Sequence, residues 1–181
     1  MWLSIGYNTF QKERWTAVEK MRLAWMRLDG RNGHEAGRQL LSQLYRAETG
    51  EECPAIGVTA RGKPYFEDCP LHFSISHTKN HAFCVLSPCP VGIDAEEADR
   101  KVNLRLADKI LSPSERIRFE AAQDKQAALL RLWVPKEAAA KRSGEGLNGY
   151  PNHTDFDPDD DRINEIDGCY VAVLEGNDHA L

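Results

Sequence analysis

The chain has 181 residues, of which 41% are apolar and 28% charged, with a net charge of −5. That length suits one domain able to divide into two lobes, and the composition excludes a fully disordered chain. No window approaches about 18 consecutive apolar residues, so no spanning helix is expected. The first fifteen residues lack a basic start followed by a long apolar core, so no signal peptide is expected either. Five cysteines, none in a CxxC, read as reduced thiols of a cytoplasmic protein rather than a disulfide framework. Residues 11–46 carry eight basic and four acidic side chains, a net of +4, and residues 155–181 carry nine acidic side chains against Arg162. An acidic chain with a basic N-terminal third argues against general nucleic-acid binding. It suits a small polyanion or an acidic protein partner.

Trp2 to Tyr7 reads as a first strand. Residues 11–28 read as a helix, because Trp15, Val18, Met21, Trp25 and Leu28 recur at spacings of three and four. The cluster Asp29-Gly30-Arg31-Asn32-Gly33 ends it. A second helix over 34–48 carries Leu40, Leu41 and Leu44 and stops at Gly50. Short strands are expected at Ile56–Ala60, Leu71–Ser76, Ala82–Leu86 and Pro90–Ala95. Helical spacing returns over 103–111 and 113–132, the latter opened by Ser112-Pro113-Ser114-Glu115. A separate helix is expected over 133–142. Residues 152–168 are acidic, with few large apolar side chains, and read as a mobile loop outside any active site. Tyr170–Leu174 is a last strand.

Two segments carry candidate chemistry. In Val91-Gly92-Ile93-Asp94-Ala95-Glu96, strand alternation puts Asp94 and Glu96 on one face, with Gly92 leaving space beside them. Adjacent carboxylates repel unless a cation sits between them, and a hard divalent ion, Mg²⁺ or Mn²⁺, is the natural one. In Trp133-Val134-Pro135-Lys136-Glu137-Ala138-Ala139-Ala140-Lys141, the residues Trp133, Glu137 and Lys141 share one helix face. Pro135 best fits a first helical turn, which would set Glu137 at the positive end of the helix dipole and keep it ionised. A zinc site from His77, His81, Cys84 and Cys89 is rejected, because His77 and His81 lie where strand turns to loop. A calcium loop at Asp155-x-Asp157-x-Asp159 is rejected for want of Gly at its sixth position and Glu at its twelfth.

Gly62-Lys63-Pro64, Phe73-Ser74-Ile75-Ser76-His77, Val91-Gly92-Ile93-Asp94-Ala95-Glu96, Trp133-x-x-Lys136-Glu137-Ala138-x-x-Lys141 and Gly144-Glu145-Gly146-Leu147 occur in that order. Over about residues 38–150 the chain thereby resembles a 4′-phosphopantetheinyl transferase of the Sfp type. The resemblance implies an α+β fold of two similar lobes about a pseudo-two-fold axis, here roughly 1–88 and 89–181, with the N-terminal lobe shortened. It implies transfer of 4′-phosphopantetheine from coenzyme A to a serine of an apo acyl or peptidyl carrier protein, with release of 3′,5′-ADP. No nucleic-acid or membrane partner is expected, and two lobes in one chain imply a monomer. Asp94, Glu96 and Glu137 would hold the metal ion. Glu137, directly or through a water on the metal, is the candidate base, and Lys141 would reach the reacting phosphate. By resemblance, Lys63, Ser76 and His77 contact coenzyme A phosphates or nucleotide, Arg38 matches a nucleotide-site arginine, and Glu115 matches an acidic position near the metal. The competing readings are a non-catalytic coenzyme A or carrier-protein binding module and a metal-dependent phosphohydrolase.

Overall fold

The computed structural model describes residues 6–7 as backbone, and residues 21–146 and 153–176 in full. Its first half holds β1 (Gly6–Tyr7), β2 (Arg22–Arg27), α1 (Gly33–Thr49), β3 (Ile56–Val58), β4 (Pro64–Phe66), β5 (His72–His77) and β6 (His81–Ser87). An antiparallel sheet runs in the order β1-β2-β6-β5, and β3 and β4 form a separate hairpin. Helix α1 starts where the Asn32 side chain accepts from the amides of His34 at 2.9 Å and Glu35 at 3.1 Å. It ends where Gly50 turns left-handed at φ 75°.

Residues 22–27 are a strand, not the end of a helix. The helical reading failed because both faces of β2 are buried, which hides the period of two. Leu23 points into one cluster with Phe83 and Val85, while Ala24 and Met26 point into another under α1. Residues 11–20 of that expected helix, and Trp2–Ile5 of the first strand, lie outside the described residues. Strand β4, not among the strands expected from the sequence, pairs Pro64 with Val58 and Phe66 with Ile56.

The second half holds β7 (Val91–Glu97), a 3₁₀ turn at Leu104–Leu106, α2 (Ala107–Ile110), α3 (Pro113–Ala121), α4 (Lys125–Ser143), β8 (Ile163–Ile166) and β9 (Cys169–Glu175). Its sheet runs β7-β9-β8. The order β2-β6-β5 in the first half matches β7-β9-β8 in the second: a strand followed by helix, then a last strand inserted between it and the penultimate one, with β1 added at the edge of the first sheet. The architecture is α+β. Among the described residues no helix is long and apolar enough to cross a membrane.

Three clusters make the core. One lies under α1, one under α2–α4, and a third lies between the two sheets, joining Leu23, Phe83 and Val85 to Val91, Ile93, Val171 and Val173. Where β5 meets β7, serine hydroxyls replace a backbone ladder. Ser74 Oγ accepts from the Ile93 amide at 3.1 Å, and Ser76 Oγ from the Ala95 amide at 3.3 Å. The alternate serines of Phe73-Ser74-Ile75-Ser76-His77 thus satisfy an otherwise bare sheet edge.

The helical region divides elsewhere than expected. Helix α3 stops at Ala121, and α4 opens at Asp124, whose side chain accepts from the amides of Gln126 and Ala127. Helix α4 then runs through Pro135 to Ser143. Packing overrides the missing proline donor, since Val134, Pro135 and Ala138 are all buried. Nor do the described residues of 152–168 form a loose loop. Phe156, Ile163 and Ile166 are buried, and β8 pairs with β9. Glu115 ties this segment down. Its side chain accepts from the amides of Ser112 and Phe156, both at 2.8 Å, and pairs with Lys136 at 2.8 Å, both side chains having no exposed surface. Lys136 in turn donates to the Thr154 carbonyl at 2.7 Å.

Gly92 serves the packing of α4 rather than the space beside Asp94. A Cβ there would lie 2.0 Å from the Ala138 carbonyl oxygen and 2.5 Å from the Arg142 amide. Both are helix backbone, so only displacement of α4 could relieve the clash. Gly92→Ala should cost about 1–3 kcal/mol of stability. Urea denaturation reads that loss, and an unchanged midpoint would show that α4 stands further from β7.

Candidate active site

A cleft of about 620 Å³ opens between the halves, lined by α1, β5, β7 and α4. Strand alternation sends Asp94 and Glu96 of β7 into it, and helical spacing sends Trp133, Glu137 and Lys141 of α4 in to meet them. The two sequence motifs, some forty residues apart, therefore converge on one wall. From the opposite side come His34 and Arg38, one turn apart on α1, and the exposed His77 at the end of β5. Gly33 lets α1 begin against His77, because a Cβ there would stand 2.8 Å from the imidazole Cγ. The cleft thus has a carboxylate wall and a basic wall.

Asp94 is the centre of the carboxylate wall. It is 6% exposed, and its Oδ1 accepts from Lys141 Nζ at 2.7 Å and Ser76 Oγ at 3.0 Å. Lys141 also donates to Ser76 Oγ at 3.0 Å. The other oxygen, Asp94 Oδ2, is buried and has no hydrogen-bond partner among the described residues. An orphaned buried carboxylate oxygen is costly unless something outside the protein satisfies it. Glu137 lies nearby, and burial first, then the Asp94 charge, lifts its carboxyl from an ordinary value near 4.5 to about 7 against the pull of Lys141. Burial also raises Glu96, against the opposing pull of Arg100, which follows the turn after β7 and forms an ion pair with it. Three carboxylates lining one cleft beside an oxygen that no described donor reaches suit a hard divalent cation.

Several expectations change here. Glu137 lies well inside α4, not in a first turn, so the helix dipole does not keep it ionised. Ser76 reaches the cleft, but its hydroxyl is engaged by Asp94, Lys141 and the Ala95 amide. Lys63 does not line the cleft. Its ammonium donates to the Arg142 carbonyl near the end of α4, where helix carbonyls lack partners, and burial lowers its pKa. Glu115 is likewise remote from the cleft, being the buried partner of Lys136. Of the rejected zinc set, His77 is at the cleft, Cys84 is in the core under α1 and Cys89 is exposed. The rejected calcium run is also spent elsewhere, since Asp155 accepts from Ser112 and Ser114 and pairs with Arg118. The sequence reading missed His34 and Arg100. The i,i+4 spacings His34–Arg38 and Glu96–Arg100 were the available signals.

The raised Glu137 carboxyl has a consequence for stability. The folded state holds the proton more tightly than the unfolded one, so stability falls as pH rises from about 4.5 through about 7 and then levels off. Glu137→Gln should flatten that fall in chelator-treated protein. Thermal melts from pH 4 to 8 read the difference, and parallel curves for the two proteins would mean that Glu137 titrates as an ordinary glutamate.

Residues 90–172 match the family model of the 4′-phosphopantetheinyl transferase superfamily. Over 97 residues the chain is 33% identical to a 4′-phosphopantetheinyl transferase of Bacillus subtilis, a match covering 52% of this chain and 43% of that protein. It is 32% identical over 142 residues to the 4′-phosphopantetheinyl transferase psf-1 of Bacillus pumilus, covering 75% and 58% respectively. It is 35% identical over 88 residues to the 4′-phosphopantetheinyl transferase gsp of Aneurinibacillus migulanus, covering 48% and 36%. These matches span between 36% and 58% of the length of those curated relatives. The matched stretch 90–172 contains the whole carboxylate wall of the cleft, so the similarity to the 4′-phosphopantetheinyl transferase superfamily and the candidate site fall on the same residues.

Proposed function

We propose that this protein transfers the 4′-phosphopantetheine group of coenzyme A to a serine of an apo acyl or peptidyl carrier protein, releasing 3′,5′-ADP. The observation that carries the reading is Asp94, a cleft-lining residue whose buried Oδ2 has no hydrogen-bond partner among the described residues, in a cleft that also holds His34, Arg38 and His77. Asp94, Glu96 and Glu137 would hold Mg²⁺, or Mn²⁺ in its place. When bound, the ion would neutralise the charge that builds on the pyrophosphate oxygens. Coenzyme A would lie between the lobes, about 1–88 and 89–181, with the shared strand order supporting a pseudo-two-fold relation between them.

The chain's own residues supply binding, orientation and proton transfer. Arg38, His34 and His77 would take the phosphates at the nucleotide end. Lys141, held by Asp94 and Ser76, keeps its ammonium at the reacting end, where it offsets charge on the leaving 3′,5′-ADP. Glu137, with its carboxyl poised near neutrality, is suited to accept the proton of the attacking serine hydroxyl. The serine oxygen forms a bond to the phosphorus of the pantetheine phosphate. The bridging oxygen leaves with 3′,5′-ADP.

Mass spectrometry of a panel of apo carriers, incubated with coenzyme A and Mg²⁺, tests the activity. A mass gain of one phosphopantetheine supports it. Bound coenzyme A with no modified carrier would leave a binding module, and free phosphopantetheine would mean hydrolysis. Asp94→Ala and Glu137→Ala should each lower metal-dependent transfer by about a hundredfold or more, roughly 3 kcal/mol. The double variant should be little worse than either single, because residues acting as one unit are non-additive. Multiplicative losses in a series of rates against Mg²⁺ concentration would exclude a shared ion. Arg38→Ala should raise the KM for coenzyme A more than it lowers kcat. A pure kcat loss would place Arg38 at the reaction rather than in binding.

A further inference from the structure

On the side of β7 away from the cleft, a second group of donors assembles. Glu97 follows Glu96 and so projects to the opposite face of the strand. There it meets His81, from the start of β6, and Cys169, from the start of β9. One ligand atom from each of these three side chains falls within 4.8 Å of the others. We propose that His81, Glu97 and Cys169 bind a Zn²⁺ ion that fastens the two sheets together, separately from the cleft.

The spacing matches that of co-ligands, and the Nδ1–Oε1 distance is long for a hydrogen bond. His81 Nδ1 is 3.3 Å from Cys169 Sγ and 3.4 Å from Glu97 Oε1. A tetrahedral zinc ion with Zn–N and Zn–O of about 2.0–2.1 Å and Zn–S of about 2.3 Å separates its donors by roughly 3.3–3.6 Å. An N–H···O bond prefers about 2.9 Å. The other nitrogen of the same ring obeys that preference, lying 2.9 Å from Asp167 Oδ2. Asp167 is an acceptor, held ionised by its pair with Arg27, whose Nε is 2.6 Å away. In the neutral tautomer that donates to Asp167 through Nε2, the Nδ1 lone pair faces Cys169 and Glu97. A carboxylate on the far nitrogen of a histidine is the usual outer support of a metal ligand.

The remaining donors are also fixed in advance. Glu97 Oε1 is pinned by Thr78 Oγ1 at 2.6 Å and the Asn80 amide at 3.1 Å. Cys169 is fully buried beside His81 and Glu97, and zinc would displace its thiol proton to solvent, leaving a thiolate. A thiolate, an imidazole and one carboxylate select zinc over the hard ions that suit three carboxylates.

The full-length protein, stripped with chelator, is titrated with Co²⁺ and then with Zn²⁺. One equivalent of Co²⁺ should produce a thiolate-to-cobalt charge-transfer band that Zn²⁺ abolishes, and Zn²⁺ should raise the Tm. Cys169→Ser should lose both the band and the Tm rise. Asp167→Asn keeps every donor and should weaken binding by about tenfold or more, which serves if Cys169→Ser does not fold. Asp94→Asn should leave the band intact, separating this site from the cleft and from the proposed transfer. A folded protein with no band, or a band that survives Cys169→Ser, overturns the proposal.

Discussion

The half-satisfied carboxylate of Asp94 ties β5, β7 and α4 together. Burying an ion is costly, and the pair it makes with Lys141 offsets that cost only where geometry and further hydrogen bonds complete the shell. Here Lys141 and Ser76 complete one oxygen and leave the other bare. The surrounding structure is arranged to permit this. Gly92, two residues upstream, lets α4 touch the strand, which is what brings Lys141 and Glu137 within reach. The serines of β5 cap the edge amides of β7 and hold the two sheets in the register that aligns Ser76 with Asp94.

Helix α4 carries two buried ion pairs of opposite character. Lys136 and Glu115 form the closed one. Both oxygens of the carboxylate and the ammonium are engaged, and the result fixes α3, α4 and the 154–156 segment. Lys141 and Asp94 form the open one, at the edge of solvent with an oxygen to spare. Five residues separate the two lysines, enough to place one inside the lobe and the other in the cleft. The difference between a structural pair and a binding pair is the state of the last lone pair, not the residue types.

Strand β7 serves both sides of the molecule because its alternation is strict. Asp94 and Glu96 enter the cleft, Ile93 and Ala95 enter the core between the sheets, and Glu97 reaches the His81–Cys169 group. A one-residue slip of its pairing with β9 would reverse every one of these assignments.

The sequence by itself determined which residues could share a face. Strand alternation joined Asp94 to Glu96, and helical spacing joined Trp133, Glu137 and Lys141, since both relations follow from local backbone geometry. It also determined a helix over 34–48 with its Gly50 stop, and the two carboxylate-bearing motifs that lie inside the matched stretch 90–172. It misread 22–27, where burial on both faces erased the alternation, and the division of the α3–α4 region, where packing carried a helix through Pro135. Only the tertiary structure decided that Gly92 spaces a helix rather than a ligand, that Lys136 and Glu115 are internal, and that Glu137 is raised rather than held ionised. Each of those depends on what lies across space from the residue, and neither spacing nor residue type encodes the dielectric and charge of a neighbour forty positions away.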